Sequence, residues 1–412
     1  MSFETLVGTV IDPALCASCG LCESVCPKDI INFTGITPEF RGDAGSCGDC
    51  SLCSDICPGA FPDTARLETG LFGRPRKPEE RWLGIHREVL GCYASDTEIN
   101  ARSASGGSIT ELLLSAKDKL GLDAILAVGR ELERPGFAVG HLFETREDLL
   151  ESCQSTYQLF PYLRILKRLL TDMNWEYRIA MVGLACHVQA IRKLQALDNE
   201  LGARARARIA FVVEAACSSN TLPEGTDSLL RNEAGVSLDR VKSLRYRAGL
   251  YPGEIAAETA DGEIVTIAFW KAVHEFKRFK THRCLSCGDW FSGLADVAIC
   301  DGDPNIFKTS LIGGGGLKYG TVLPRTDVGM EVIRWGVEAG RLVVWPTKIE
   351  NENLGCERKR HRRGGYELSA MPIPEGPIPG YRDHFDILDD DDLLSASSGK
   401  IGLRERGEGK DS

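Results

Sequence analysis

The chain of 412 residues lacks any apolar run close to the roughly 20 residues that a membrane-spanning helix needs. Its first nine residues include an early acidic side chain, Glu4, and have neither the basic start nor the apolar stretch of a secretory signal. We therefore expect a cytoplasmic protein without a membrane span.

The chain also lacks an excess of basic residues. Its formal net charge is −10, which argues against binding to nucleic acid. Hydrophobic residues make up 43% and charged residues 26%, the balance of an ordinary globular protein, and the length allows two or three domains. We expect no nucleic-acid partner.

Cysteine, by contrast, is abundant, with 16 residues in the chain. Disulfides are disfavoured in the cytoplasm, so clustered cysteines indicate metal or redox chemistry. Eight of them repeat one spacing, C-x2-C-x2-C-x3-C before a proline: Cys16, Cys19, Cys22 and Cys26, then Cys47, Cys50, Cys53 and Cys57. This is the ligand pattern of a protein with two 4Fe–4S clusters. Zinc ligands occur as pairs separated by a longer interval, so zinc and disulfides are disfavoured alternatives.

In ferredoxins with this pattern, the fourth cysteine of each run binds the other cluster. The pattern then implies one cluster on Cys16, Cys19, Cys22 and Cys57, and a second on Cys47, Cys50, Cys53 and Cys26. Residues 7–11 and 30–33 have the composition of short strands beside the first run. We expect residues 1–66 to form a small ferredoxin-like domain that depends on its clusters for stability, because it contains few apolar residues.

The rest of the chain predicts an α/β architecture, α+β overall. Residues 67–82 are rich in glycine, proline and charge and are expected to be a linker. Helices are predicted at 109–120, 161–173 and 187–197, and strands at 123–128, 179–183, 209–213 and 295–299. The order of the strands stays open at this point. Residues 366–412 form a Pro/Gly-rich, acidic tail, expected to be partly disordered.

A second group of cysteines lies in this larger part. Cys284 and Cys287 form a C-x2-C pair, Cys186 follows a predicted strand and opens a helix, and Cys217 follows another strand. Ligands converge at strand ends in α/β sheets, so these four could hold a third 4Fe–4S cluster. Alternatively, Cys186 and Cys217 are buried packing residues, which is the fate expected for Cys92, Cys153, Cys300 and Cys356.

Two further features can be interpreted either as parts of a binding site or as ordinary structural features. The small residues Ser105, Gly106 and Gly107 precede a helix, where backbone N–H groups could approach an anionic ligand, or where they simply cap the helix. A basic group precedes the C-x2-C pair and could offset the charge of a cluster and of a cofactor phosphate, or be a solvated face: Lys271, Lys277, Arg278, Lys280 and Arg283.

These pieces, in this order, resemble the beta-subunit family of coenzyme F420 hydrogenase and dehydrogenase over about residues 10–345. The resemblance rests on the ferredoxin-type front end and on six segments. They are ASGGSIT (104–110), CQSTYQ (153–158), VGLACHVQAI (182–191), EAACSSN (214–220), RCLSCGDWFSGLADVAICD (283–301) and YGTVLPRTDVG (319–329).

The resemblance implies an iron–sulfur flavoprotein oxidoreductase, in which FAD lies beside a 4Fe–4S cluster. It exchanges a hydride with coenzyme F420 and passes single electrons through clusters to a partner oxidoreductase subunit. The core has two parts, 83–175 and 176–365. Cys186, Cys217, Cys284 and Cys287 become ligands of the third cluster. Ser105, Gly106, Gly107, Ser155, Tyr157 and Arg283 become the expected cofactor-binding residues, and no catalytic residue is assigned.

Two other functions stay open. Related proteins with ferredoxin-type front ends take electrons from ferredoxin and reduce organic molecules, including chlorophyll precursors. The chain could also be an electron-relay subunit of a larger dehydrogenase or hydrogenase. It departs from the family at Leu184-Ala185, at Thr156 and at 318–320, and these changes bear on the identity of the electron donor.

Overall fold

A computed structural model of the chain describes residues 3–43, 45–59, 64–80, 83–250, 253–287, 289–301 and 318–349, and two short strands further on. The helices are α1 (Phe3–Leu6), α2 (Leu21–Val25), α3 (Leu52–Asp55), α4 (Thr64–Phe72), α5 (Thr97–Arg102), α6 (Ser108–Leu120), α7 (Arg146–Glu151), α8 (Leu166–Thr171), α9 (Ala185–Gln195), α10 (Glu200–Arg208), α11 (Pro223–Ala234), α12 (Phe269–Phe276), α13 (His282–Ser286) and α14 (Asp327–Glu338). The strands are β1 (Ile31–Thr34), β2 (Thr37–Phe40), β3 (Leu90–Ala94), β4 (Ala124–Arg130), β5 (Ala138–Phe143), β6 (Ile179–Gly183), β7 (Ile209–Ala215), β8 (Val241–Ala248), β9 (Glu254–Thr259), β10 (Ile264–Ala268), β11 (Val297–Asp301), β12 (Gly320–Pro324), β13 (Leu342–Pro346), β14 (Phe385–Asp386) and β15 (Arg404–Glu405). Cys356 and, apart from β14 and β15, the tail predicted at 366–412 lie outside the described residues.

The alternating helices and strands build one eight-stranded sheet. Its strand order is β13-β3-β12-β11-β7-β6-β4-β5. The neighbours β11, β7, β6 and β4 run parallel, whereas β5, β12 and β13 run antiparallel to their neighbours. Because β12 is also antiparallel to β3, strand β3 has the direction of β11. The predicted α/β class is confirmed, and the carboxyl ends of β3, β11, β7, β6 and β4 share one edge of the sheet, where ligands bind in folds of this kind.

The central strands are buried on both faces because helices cover the sheet on both sides. Ala180, Phe211 and Val213 face the cluster that includes residues of α6 and α14. Met181 and Val212, which alternate with them, face a cluster built with α8, α9 and α10. Within the described ranges no helix is long and apolar enough to cross a membrane.

A smaller antiparallel sheet, of order β10-β9-β8, is not predicted by the sequence pattern. Leu244, Tyr246 and Ile255 pack in one buried cluster with residues of α11 and α12. Strand β8 has the sequence VKSLRYRA, in which three basic residues interrupt the apolar alternation. The strand signal is weak because this sheet buries only one face.

The N-terminal residues form short elements around the cysteine loops. The hairpin of β1 and β2 supplies the strand that the pattern predicts near residues 30–33. The strand predicted at 7–11 is wrong, because Val7–Ile11 is a turn of π-helix that continues α1. Phe3, Leu6 and Val10 are buried against the cysteine loops, and their spacing of three and four residues is that of one helical face.

The N-terminal residues also pack directly on the larger part of the chain. Leu21 and Val25 of α2 share a buried cluster with residues of α8 and α9. Ser24 Oγ donates to the Leu163 carbonyl at 2.8 Å, and the Leu163 amide donates to the Cys19 carbonyl at 2.7 Å. This contact places the first cysteine run against the core of the sheet domain.

Two segments differ in detail from the predicted elements. The helix expected over 161–173 consists of a 3-10 turn, Tyr162–Ile165, followed by α8, because backbone and side-chain groups of this turn bind other parts of the chain. The predicted linker, residues 67–82, begins inside α4. Its residue Arg76 forms an ion pair with Glu68 of that helix at 2.6 Å.

We expect Asp296→Asn to lower the free energy of unfolding by about 3 kcal/mol, because removing one partner leaves a buried charge uncompensated. Asp296 lies 3.0 Å from Arg192, and both side chains are buried. Its oxygens also accept hydrogen bonds from the Val212 amide at 2.8 Å and the Thr326 hydroxyl at 2.9 Å. Urea unfolding of the anaerobically prepared protein measures the change.

The matched control is Asp261→Asn. Asp261 pairs with Arg240 at the surface, where both side chains are more than half exposed and solvent screens their attraction. Its removal should leave the unfolding midpoint almost unchanged. Equal shifts of the midpoint in the two variants would contradict the importance of the Arg192–Asp296 pair.

Candidate functional site

Three cysteines of the first run and the last cysteine of the second run meet in one buried site, here called site A: Cys16, Cys19, Cys22 and Cys57. They line one cavity together with Cys53, and their other neighbours there are mostly apolar, among them Leu6, Phe33 and Ile56. Burial raises the pKa of Cys16 to about 12, and the nearby charge of Cys57 adds to the rise. The same causes raise the pKa values of Cys19 and Cys22.

The chemistry of this donor set suits an iron–sulfur cluster. Four thiolates so close together repel one another, and an apolar lining does not stabilise their charge, so the thiols alone would stay protonated. A positively charged iron–sulfur core compensates the four charges. Among the residues that the structure describes, no three His, Cys, Asp or Glu side chains are arranged to hold a single metal ion.

The second N-terminal group, site B, consists of the remaining four cysteines: Cys26, Cys47, Cys50 and Cys53. Burial raises the pKa of Cys53 to about 11, and the charges of Cys47 and Cys50 contribute to the rise. Lys28, two residues after Cys26, donates to the Ser46 carbonyl at 2.6 Å, which holds the two cysteine loops together. Cys47 and Cys50 are partly exposed, so site B lies nearer the protein surface than site A.

Four of the cysteines in the larger part of the chain form a third group, here called site C: Cys186, Cys217, Cys284 and Cys287. Cys186 lies in the first turn of α9, after β6, and Cys217 follows β7, so both lie at the carboxyl edge of the sheet. Burial and the charges of Cys217 and Cys287 raise the pKa of Cys186. Helix α13 carries Cys284, whose amide donates to the Thr281 hydroxyl. The structure therefore brings together three sequence-distant segments that carry the predicted cysteine ligands.

Site C adjoins site A. The charge of Cys19, from the N-terminal run, also raises the pKa of Cys186. Arg283 is buried, its Nη2 donates to the Pro58 carbonyl at 3.1 Å, and Pro58 follows the site A residue Cys57. Although burial alone would lower the pKa of Arg283, the charges of Cys287, Asp289, Cys186 and Cys284 raise it.

Two other members of the predicted basic group, Lys271 and Arg278, lie elsewhere. Lys271 pairs with Glu233, and Arg278 lies 3.2 Å from Glu275, both pairs near the surface. Of this group, Arg283 is the residue found between cysteine sites. The cysteines that were expected to be packing residues, Cys92, Cys153 and Cys300, are buried.

The loop before α6 has a conformation that requires glycine. Gly106 and Gly107 have φ angles of 72° and 78°, which residues with a side chain rarely adopt. A Cβ atom on Gly106 would lie 2.3 Å from the Lys318 carbonyl oxygen. The Ala94 amide, at the end of β3, donates to the Gly106 carbonyl at 2.8 Å. The loop therefore lies at the same sheet edge as site C.

Two predicted flavin contacts from a distant segment, Ser155 and Tyr157, lie near this loop. Ser105 Oγ donates to Asp301, which ends β11, and Arg247 donates to both oxygens of Asp301 at 3.0 Å. Burial raises the pKa of Tyr157, and the charges of Arg247 and Asp301 and the hydroxyl of Ser155 also act on it. We use the name loop site for these residues together with the neighbouring basic residues described next: Ser105, Gly106, Gly107, Ser155, Tyr157, Arg245, Arg247, Asp301 and Lys318.

Sequence reasoning misses the basic residues of the loop site, Arg245, Arg247 and Lys318. Lys318 Nζ donates to the Ser103 carbonyl at 2.8 Å, and Arg245 Nη2 donates to the Arg102 carbonyl at 2.8 Å. Burial lowers the pKa of Lys318, and the charges of Arg245 and Arg247 lower it further. Arg245 and Arg247 alternate along β8 and so share a face, a signal that the sequence contains. Lys318 carries no comparable local signal.

Comparisons with known proteins identify the family of this chain. The family models for the coenzyme F420 hydrogenase/dehydrogenase beta subunit match residues 89–167 with its N-terminal part and 176–349 with its C-terminal part, together more than half of the chain. A 4Fe-4S binding domain matches residues 9–32.

Curated relatives carry the same family name or a related one. The coenzyme F420 hydrogenase subunit beta of Methanosarcina barkeri is 25% identical over 281 residues, which cover 68% of this chain and 89% of that protein. The coenzyme F420-dependent sulfite reductase of Methanocaldococcus jannaschii is 23% identical over 342 residues, 80% of this chain. The match covers 47% of the sulfite reductase, so the chain spans about half of that protein.

A solved structure has a similar fold. A chain of the F420-reducing [NiFe] hydrogenase complex from Methanosarcina barkeri superposes with a TM-score of 0.56 at 22% sequence identity. The superposition covers 74% of this chain and 99% of that one. At this identity the likeness establishes the fold.

Proposed function

The chain belongs to the coenzyme F420 hydrogenase/dehydrogenase beta-subunit family and carries a 4Fe–4S domain, and from this premise we propose that it transfers electrons between coenzyme F420 and one-electron carriers. Reduced coenzyme F420 gives up two electrons as a hydride, whereas iron–sulfur clusters accept one at a time. A flavin can exchange both hydrides and single electrons, so the proposal requires FAD between the two.

The observation that carries this proposal is the succession of cysteine sites. Site C adjoins site A through the neighbouring Cys186 and Cys19, and site A shares the small N-terminal unit with site B. Site B has partly exposed cysteines, Cys47 and Cys50, where an external carrier can approach. A line of three clusters from the sheet edge toward the surface is suited to moving single electrons.

Each site would hold one 4Fe–4S cluster, which supplies one-electron chemistry when bound. Sites A, B and C would provide four thiolates each. The apolar residues around site A exclude water and prevent access of other oxidants to the thiolates. The Leu163–Cys19 and Arg283–Pro58 hydrogen bonds hold site A against the part of the chain that carries site C.

The loop site would hold FAD. Ser105, Gly106 and Gly107 allow close approach of a ligand to the backbone before α6, as the resemblance to the family implies. Ser155 and Tyr157 lie near Asp301 and Arg247. Arg245, Arg247 and Lys318 supply positive charge that suits phosphate groups of FAD or an anionic donor.

Coenzyme F420 is proposed as the two-electron carrier because curated relatives are named for it. Several of these relatives are named as subunits, so we also propose a partner oxidoreductase subunit, which would receive electrons at site B. A cytoplasmic location agrees with this proposal and stays a prediction.

Anaerobic purification followed by iron, sulfide and flavin determination tests the cofactor assignment. We expect about 12 iron atoms, about 12 sulfides and one FAD per chain, because each of three cubanes holds four irons. A count of about eight iron atoms per chain would contradict the assignment of a cluster to site C. Absence of flavin would contradict the function of the loop site.

Absorption spectra after addition of a reductant test the donor. Reduced coenzyme F420 should bleach the flavin and then the clusters, whereas NADH should bleach neither. Bleaching by reduced ferredoxin, with no response to reduced F420, would instead favour the ferredoxin-dependent reductase. Cluster reduction without any flavin would favour an electron-relay subunit.

A further inference from the structure

Two buried cations from the sheet domain reach the same short stretch of the N-terminal unit. Arg283 Nη2 donates to the Pro58 carbonyl at 3.1 Å, and Lys193 Nζ donates to the Cys57 carbonyl at 2.7 Å. The two residues are only 9% and 8% exposed. Cys57 is the residue that the second cysteine run contributes to site A.

Burial of a lysine or arginine is costly unless nearby negative charge compensates it. The charges that act on Arg283 include three thiols of site C, those of Cys186, Cys284 and Cys287. The charge of Arg283 in turn acts on Cys16 of site A. Its guanidinium therefore belongs to the surroundings of both sites.

Lys193 differs from Arg283 in the site that it faces. Burial lowers the pKa of Lys193; the charges of Cys57 and Asp55 oppose this shift and that of Arg66 adds to it, and all three residues lie in the N-terminal part of the chain. Lys193 belongs to α9, the helix that carries Cys186 in its first turn. The helix thus provides a ligand to site C at one end and a cation to site A two turns later.

We propose that Arg283 and Lys193 set the reduction potentials at the junction of sites A and C, with Arg283 acting on both clusters and Lys193 mainly on the cluster of site A. The proposal depends on the proposed function, because it requires clusters at both sites. A buried positive charge stabilises the reduced form of a nearby cluster and so raises its potential. Low local dielectric makes this effect larger than at the surface. An electron that leaves the loop site is thereby drawn to the junction.

Reduction potentials of Arg283→Gln and Lys193→Gln test the proposal. Glutamine keeps a hydrogen-bond donor and removes the charge. In Arg283→Gln we expect the equilibrium constants for one-electron reduction at sites A and C to fall at least about tenfold, a shift of about 59 mV in each potential. In Lys193→Gln we expect a shift of this size at site A and a much smaller one at site C. Redox titration followed by electron paramagnetic resonance resolves the clusters.

Site B serves as the internal reference, and its potential should not change in either variant. Arg283→Lys keeps the charge and should restore most of the potential at both sites, whereas a purely structural role of the hydrogen bond predicts unchanged potentials in Arg283→Gln, because glutamine can also donate to the Pro58 carbonyl. Iron is counted in every preparation.

Unchanged potentials in Arg283→Gln with all iron retained would overturn the proposal. Loss of a cluster in Arg283→Gln that Arg283→Lys does not prevent would also overturn it, because the charge would then not be the cause. A wild-type protein with about eight iron atoms would instead refute the cluster at site C, and with it the proposed function.

Discussion

Cys186→Ser will remove about four iron atoms per chain and stop electron flow from the flavin to the N-terminal clusters. Cys186 lies close to site A, since the charge of Cys19 acts on it. A serine hydroxyl has a much higher pKa than a thiol and is a poor ligand for iron in a cluster. The loop site and site C lie at the same edge of the sheet, so loss of this cluster would remove the acceptor that the proposed function places beside the flavin.

The measurement combines iron counting with stopped-flow absorbance after addition of reduced coenzyme F420. The flavin of Cys186→Ser should still bleach, and the N-terminal clusters should stay oxidised over the time in which those of the wild type are reduced. Cys153→Ser is the matched control, because Cys153 belongs to none of the three sites and its Sγ lies 3.3 Å from the Thr110 hydroxyl, which can bond a serine. Full iron content and rapid cluster reduction in Cys186→Ser would exclude Cys186 as a ligand.

Gly106→Ala will lower the affinity for FAD at least about tenfold, which corresponds to 1.4 kcal/mol. The φ angle of Gly106 is 72°, where a side chain costs roughly 1–2 kcal/mol. The added Cβ would also lie 2.3 Å from the Lys318 carbonyl oxygen, so the loop or the 318–320 segment must shift. Lys318 donates to the Ser103 carbonyl, and this shift would therefore distort both sides of the loop site.

Gly121→Ala provides the matched control from the other end of the same helix. Gly121 follows α6 with a φ angle of 61°, and a Cβ atom there would meet nothing within 4 Å. Its backbone strain is similar, but it lies more than three helical turns from the loop, so FAD content should stay near one per chain. Equilibrium dialysis of FAD against both deflavinated variants measures the difference. Equal affinities for FAD in the two variants would contradict binding of the flavin at the loop of residues 103–107.

Much of the fold follows from local sequence patterns. The strand predicted at 179–183 is β6, and the helix predicted at 109–120 is α6 with one residue added. The strand is predicted from its short apolar composition and the helix from its apolar spacing, and both patterns arise because the sheet is buried on both faces by helices. The α/β class, the family and the oxidoreductase class are confirmed. Elements with weaker patterns, such as β8 and the π-helical turn at Val7–Ile11, depend on tertiary contacts and are missed.

Some parts of the candidate site are likewise predicted from local sequence, and others depend on the tertiary structure. The spacing of the cysteines is a local property of the chain and predicts sites A and B, whereas site C needs three segments that only the sheet brings together. The ligand sets and the flavin contacts stay predictions that the experiments above test. The positive group of Arg245, Arg247 and Lys318 comes from a second sheet and a distant loop, so no short window of sequence contains it.

The amino-acid sequence by itself determines that this chain has two cubane-type ligand runs and an α/β core, since both depend on residue spacing over a few turns or strands. The tertiary structure decides that site A touches site C, and that Arg283 and Lys193 are buried at their junction. The physical reason is that electrostatic coupling depends on distance in space and on local dielectric. Residues 58 and 283 are far apart along the chain, and the packing of the N-terminal residues on the sheet domain makes them neighbours.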